Sequence, residues 1–137
     1  MSAPVELVQG VPLFEGLDQR ELRELASSMK ERTFKAGQEF AVEGHSGIGF
    51  FLIADGTATV SQGGEERAKL GPGDHFGEIA LIDAGARSAT ITAETELRCW
   101  GLTSWEFRPL VESDAELAWK MLEAMARMLR AAQQHDS

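Results

Sequence analysis

Arg87, Glu78 and Gly77 are the residues of this chain whose types and spacing could do chemistry. They fall within residues 76–90, FGEIALIDAGARSAT. Arg87 carries a planar guanidinium that can grip two phosphate oxygens at once. Glu78, when ionised, is an acceptor-only carboxylate suited to sugar hydroxyls. Gly77 has no Cβ and lets the backbone come close to a ligand. Residues 77–81 are few enough to form one helical turn, whose free N–H groups make an anion site. Together these groups suit a small cyclic phosphodiester. The plainer alternative is a surface turn followed by an arginine in an ion pair, with Glu78 as a candidate partner.

Other chemistries find less in the sequence. A metal enzyme on a small β-fold needs several His and an acid converging on one ion. His45, His75 and His135 are scattered, none within four residues of another. No serine, nor the single Cys99, lies in a recognisable triad or elbow sequence. We therefore expect no catalytic activity, no metal and no cofactor. One cysteine cannot make an internal disulfide, and its place in the strand-like run LRCW reads as a buried structural thiol.

The elements that must position these residues follow from periodicity. Asp18 with Glu21 three residues on resembles a capping box, and Leu22, Leu25 and Met29 repeat at helical spacing. This predicts a helix over about residues 17–30, preceded by a loose or partly helical arm over residues 1–10. From about residue 32 to 102, short runs rich in β-branched and aromatic residues alternate with glycines. That texture predicts a small antiparallel sandwich or barrel, with Gly63-Gly64 as its clearest hairpin. Thr103 and Asp114 can cap two further helices within about residues 104–134.

The last helix has two apolar seams. Ala118, Leu122, Met125, Leu129 and Ala132 form one, and Leu117, Met121, Ala124, Met128 and Ala131 the other. A polar third face carries Glu116–Lys120 and Glu123–Arg127 as candidate ion pairs. One core surface covers one seam, so the seam through Leu122 is expected to make a homodimer in coiled-coil fashion.

The whole stretch 76–90 carries a resemblance. FGEIAL, a short loop and RSAT resemble the phosphate-binding cassette of the cyclic nucleotide-binding domain family. Upstream, PLFEGL, EL..LA..M..RTF.AG and EG..G.GFFLI..G...V resemble that family's opening helix and first strands. The resemblance covers about residues 11–130. It implies a mainly β fold with flanking helices: an eight-stranded antiparallel β-roll with an N-terminal helix and a long C-terminal helix. It implies one domain over residues 1–137.

The resemblance also implies roles. Phe76, Gly77, Glu78, Ile79 and Ala80 form the binding segment, with the N–H groups of residues 77–81 crowning the cyclic phosphate. Arg87 pairs with that phosphate, Ser88 donates to it and Ala89 offers its backbone N–H. Glu78 accepts the ribose 2′-hydroxyl, and Leu52, Val60 and Leu70 are weaker candidates for the sugar and base walls. Base contacts fall near the end of the long helix, at Met128 and Gln133, with Arg130 a further polar group. Relatives that prefer cGMP commonly carry threonine after the arginine; Ser88 here implies cAMP over cGMP. The transcription-factor members continue into a DNA-reading domain, whereas only residues 133–137 follow the helix here, so the resemblance reaches the sensor alone. The alternative is a degenerate β-roll interaction module that no longer binds nucleotide.

Composition bounds the partners. The 137 residues, 43% hydrophobic and 26% charged, suit a soluble globular chain. A net charge of −9 argues against a nucleic-acid surface. No apolar run has the length of a membrane span, so no membrane partner is expected and the cytoplasm is the expected location.

Overall fold

The computed structural model describes residues 2–44, 49–83 and 85–136. Eight strands form two four-stranded antiparallel sheets. They are β1 (Lys30–Phe34), β2 (Glu39–Ala41), β3 (Gly49–Asp55), β4 (Ala58–Gln62), β5 (Glu65–Leu70), β6 (His75–Phe76), β7 (Thr90–Ala93) and β8 (Leu97–Thr103). One sheet has the order β1-β8-β3-β6 and the other β2-β7-β4-β5. This is the expected roll of eight antiparallel strands with helices at both ends. Gly63 and Gly64 both have positive φ, 60° and 82°, and join β4 to β5 where Gln62 faces Glu65. Two successive left-handed residues are what a tight hairpin turn requires.

Alternation on β3 splits the core in two. Phe50 and Leu52 point to the helices, while Phe51 and Ile53 point between the sheets. The helical side gathers Phe14, Leu25, Phe50, Trp100 and Phe107. The space between the sheets holds Ile53, Ile91, Leu97 and Cys99, closed by the rings of Phe34, Phe40, Phe51 and Phe76. Because both of its faces are covered, β3 reads as the continuous apolar run FFLI. Cys99 is fully buried, and burial pushes its thiol pKa up to about 12, as a structural cysteine requires.

The helices start where their caps place them. In α2 (Gln19–Ser28, following the short helix α1, Val5–Gln9), Asp18 accepts the Glu21 N–H at 2.9 Å. Glu21 in turn accepts the Asp18 N–H at 2.8 Å, completing the capping box. The helix stops short of the expected residue 30 because Lys30 already pairs with Gly101 in the sheet. Over residues 2–10 the arm is partly helical, the second of the two expected forms, and it is packed down. Val8 is fully buried in α1, and the Ala3 N–H donates to the Ala26 carbonyl. Thr103 and Glu106 form a second capping box on α3 (Ser104–Glu112). Asp114 accepts the Leu117 N–H to open α4 (Ala115–Asp136).

Of the two seams of α4, one is covered. Leu117, Met121 and Ala124 are buried, while Leu122, Met125 and Leu129 are 55%, 39% and 61% exposed. Lys120 reaches across to Glu21 at 2.8 Å and also stands 3.8 Å from Glu116. Arg127 pairs with Glu15 on the N-terminal side at 3.2 Å, and no pair between Glu123 and Arg127 forms among the described residues.

Phe50 ties the layers together. It is fully buried, and its ring lies 5.7 Å from Phe14 and 5.8 Å from His75. We expect Phe50→Ala to lower stability by about 3–5 kcal/mol, the cost of a large cavity in a packed core. Urea unfolding checks this; a change below about 1 kcal/mol would contradict the packing described.

Candidate functional site

The expected cassette is built from three separate pieces of chain. Strand β6 runs into Gly77, whose φ is +86°. A Cβ there would lie 2.4 Å from the Gly49 carbonyl oxygen and 2.7 Å from Nη1 of Arg87. Gly77 is thus needed for its backbone angle and for the space it leaves. The chain then makes a single 3₁₀ turn over Ile79–Leu81, with Ala80 and Leu81 buried as its anchor and Ile79 turned out to solvent. The Ala80 N–H donates to the Gly77 carbonyl and the Leu81 N–H to the Glu78 carbonyl. Of the five N–H groups expected to face a phosphate, these two are therefore committed to the turn. Those of Gly77, Glu78 and Ile79 lead it.

Arg87 is half-buried, and its Nη2 donates to the Gly49 carbonyl at 2.7 Å. Burial lowers its pKa from the ordinary arginine value. The guanidinium still stays protonated, because arginine starts so far above neutrality. Among the described residues no carboxylate pairs with Arg87, so the plainer alternative of an Arg87–Glu78 ion pair is not what the structure shows. The Arg87 carbonyl accepts the Gly44 N–H at 2.9 Å, which holds the end of β2 against this loop.

Arg87 opens on a cavity of about 240 Å³ between the sheets. His75, Phe76, Ser88 and Ala89 line it from the cassette side, with Ala41, Val60, Leu70 and Ile91 as apolar walls. Three larger surface grooves, of about 340, 480 and 550 Å³, contain neither Arg87 nor Glu78. Val60 and Leu70, candidates for the sugar and base walls, line this cavity. Leu52 does not: it faces the helices and is fully buried there.

Glu78 is four-fifths buried and looks toward His75, its Oε2 standing 3.9 Å from the imidazole Nδ1. Neither atom has a hydrogen-bond partner. The carboxylate is beside the cavity and not among its lining residues. Met128 and Gln133 do not line it either. The reason is the path of α4, which packs on the Pro12–Phe14 turn and on α3.

Two site-supporting residues escaped the sequence reading. Gln62 Nε2 donates to the Ser88 carbonyl at 2.7 Å, and Glu43 accepts the Gly63 N–H while its own N–H donates to Thr90 Oγ1. No motif marks either one. Only the register, with Ser61 opposite Thr90, brings them to the loop. Among the described residues no cluster of His, Cys, Asp and Glu could hold a metal ion; His45 and the His135 side chain lie outside those described. No described helix is long and apolar enough to cross a membrane.

The family model for the cyclic nucleotide-binding domain matches residues 31–114, more than half of the chain. The chain belongs to the cyclic nucleotide-binding domain family. A cyclic nucleotide-gated potassium channel of Rhizobium etli is 36% identical over 113 residues, which is 82% of this chain and 32% of the channel. The cyclic AMP receptor protein of Thermus thermophilus is 32% identical over 130 residues, covering 91% of this chain and 60% of the receptor. The N-terminal domain of a transcriptional regulator from Streptomyces coelicolor superposes with a TM-score of 0.86 at 31% identity, covering 93% of this chain and 95% of that one. The chain thus spans from about a third to three-fifths of the length of these two curated relatives.

The turn after β6 depends on Gly77. Gly77→Ala would place a methyl group against a backbone carbonyl and the Arg87 guanidinium, at a backbone angle alanine resists. We expect it to cost more than about 1 kcal/mol of stability and to displace Arg87 from Gly49. Chemical denaturation, with a crystal structure of any variant that folds, tests this; an unshifted Arg87 in a fully stable variant would contradict it.

Proposed function

We propose that this chain is a cyclic nucleotide sensor domain with no catalytic activity of its own, acting in the cytoplasm and preferring cAMP to cGMP. One observation carries the reading: a half-buried guanidinium without an acid partner faces a cavity beside a turn of leading backbone N–H groups. A buried cation with no counter-charge favours an anionic ligand. In this reading Arg87 and the N–H groups of Gly77, Glu78 and Ile79 take the cyclic phosphate. Ser88 and Ala89 add a hydroxyl and an N–H, and Glu78 takes the ribose 2′-hydroxyl. Val60 and Leu70 cover the sugar and base. Hydrogen bonds to a charged group contribute about 1.5–3 kcal/mol each. Three or four support micromolar affinity once the cost of association is subtracted. Base contacts from Met128 and Gln133 require the end of α4 to close over the cavity, since it lies off it here.

The relative from Thermus thermophilus is named for cyclic AMP. Together with Ser88 after the arginine, it supports the preference for cAMP, by about tenfold or 1.4 kcal/mol. Calorimetric titration of the native chain with cAMP and cGMP tests ligand and preference together. Arg87→Ala, folded, should lose at least about a hundredfold in affinity, and Arg87→Lys should not restore it because lysine lacks the fork. Unchanged affinity in Arg87→Ala overturns the site.

We further propose a homodimer through the exposed seam of α4. Trp119, 62% exposed, adds to the row of Leu122, Met125 and Leu129. Rows of this size are unusual on monomers. The covered seam already packs on the chain's own core, so a second copy is the partner that fits a repeat of a and d spacing. Sedimentation at tens of micromolar should find a dimer with micromolar dissociation, and replacing Leu122 and Leu129 with Glu should give a folded monomer. A native monomer with and without nucleotide overturns the dimer.

A further inference from the structure

We infer that Gln62 is the positioning residue for the peptide unit that joins Ser88 to Ala89, and that it holds the Ala89 N–H ready for the ligand's phosphate. The inference rests on the nucleotide reading above and deepens it with a residue that the cassette does not contain. Gln62 ends β4. Ala58 and Val60 of that strand point between the sheets, so alternation places Gln62 on the same face. Val60 lines the cavity together with Arg87, Ser88 and Ala89, and the exposed Gln62 stands two residues further along the strand. From there its Nε2 donates to the Ser88 carbonyl at 2.7 Å. A carbonyl oxygen only accepts, so this bond also fixes which end of the amide faces the loop.

The backbone on either side of Gln62 aims it. The Gly63 N–H donates to Glu43 Oε1 at 2.9 Å, and the Glu43 N–H donates to Thr90 Oγ1 at 3.0 Å. Ser61, on the other side, pairs with Thr90. The end of β4 is thus tied to the start of β7 both directly and through Glu43.

The consequence lies in the peptide plane. A trans peptide is planar, and its C=O and N–H point in opposite directions. The bond that holds the Ser88 carbonyl therefore holds the Ala89 N–H as well, turned away from Gln62. Ser88 and Ala89 lie in a bend before β7 begins, so the pairing of β7 with β4 does not reach this peptide. The preceding carbonyl, that of Arg87, is taken by the Gly44 N–H, whereas the Ser88 carbonyl has a side chain as its donor. Rotated about its flanking bonds, this unit would present a carbonyl oxygen to the anion where the reading places a donor. A donor fixed before the ligand arrives also spares binding the cost of ordering it.

The test is calorimetric titration with cAMP and with the two diastereomers of its phosphorothioate, in which sulfur, a poor acceptor, replaces one exocyclic oxygen or the other. A single oriented N–H favours one of those oxygens, so the native chain should bind the two diastereomers unequally. Gln62→Met keeps the length of the side chain and removes the donor. It should bind cAMP about fivefold more weakly and shrink the ratio between the diastereomers at least about threefold toward one. Gln62→Glu, of the same shape but accepting only, should shrink the ratio as well. Gln62 is exposed, so both variants should unfold at the native urea midpoint. A ratio unchanged in Gln62→Met overturns the role of Gln62 whatever happens to the affinity, because a purely structural role weakens both diastereomers alike. Equal native affinity for the two overturns it too. A native chain that binds none of the three ligands overturns the nucleotide reading and this inference with it.

Discussion

The contact on which the site depends is the Arg87 guanidinium lying over Gly77 and donating to the Gly49 carbonyl. It joins the start of β3, the turn after β6 and the loop before β7. A carboxylate in place of the carbonyl would have tied the same segments more tightly. It would also have neutralised the charge, and an incoming anion would have had to break the pair first. A neutral carbonyl orients the fork and leaves its full charge in place. The glycine is what makes the close approach possible, since any side chain at position 77 would occupy the guanidinium's place.

Local charge matters because the chain as a whole repels the ligand it is proposed to bind. The net charge is −9. Exposed charges are screened over roughly 8 Å at physiological ionic strength, so the distant acids contribute little inside the cavity. A half-buried cation at contact distance is screened far less. The chain can therefore stay strongly acidic on its surface, which favours solubility, and still present a cationic pocket.

How much of this was legible in the sequence depends on the range of the interaction that fixed each element. Asp18 with Glu21 and Gly63 with Gly64 announced a helix start and a hairpin, because each is decided within a few residues. Strand β6 has two residues, too few to display an alternation, and its pairing with Phe51 and Leu52 is what makes it a strand. The arm before residue 11 read as either loose or partly helical because what decides between the two, the Ala26 carbonyl and the core under Val8, lies outside it. At the site, the resemblance brought Gly77, Glu78 and Arg87 forward as a group. Two hydrogen-bond partners lay beyond it: Gly49 for Arg87 is 38 residues away, and Gln62 for the neighbouring Ser88 is 26. Leu52 was misassigned for a simple reason. On a strand buried on both faces, hydrophobicity does not say which face a residue takes.

The long helix is unevenly held, and this bears on what it can do. Its first half is fixed by Leu117, Met121 and Ala124 in the core and by Lys120 on Glu21. That carboxylate is almost wholly buried, and the same oxygen completes the cap of α2. Moving this half would strand a buried charge and undo a helix cap together. Beyond Ala124 the burial ends. Met128 is only partly covered, and the Arg127–Glu15 pair there is exposed, of a kind that contributes little in water. The half of α4 that carries Met128 and Gln133 is thus the less buried half. A sensor in which ligand binding repositions a helix needs this division: an anchored end that keeps the fold intact, and a lightly held end whose position a few ligand contacts can decide.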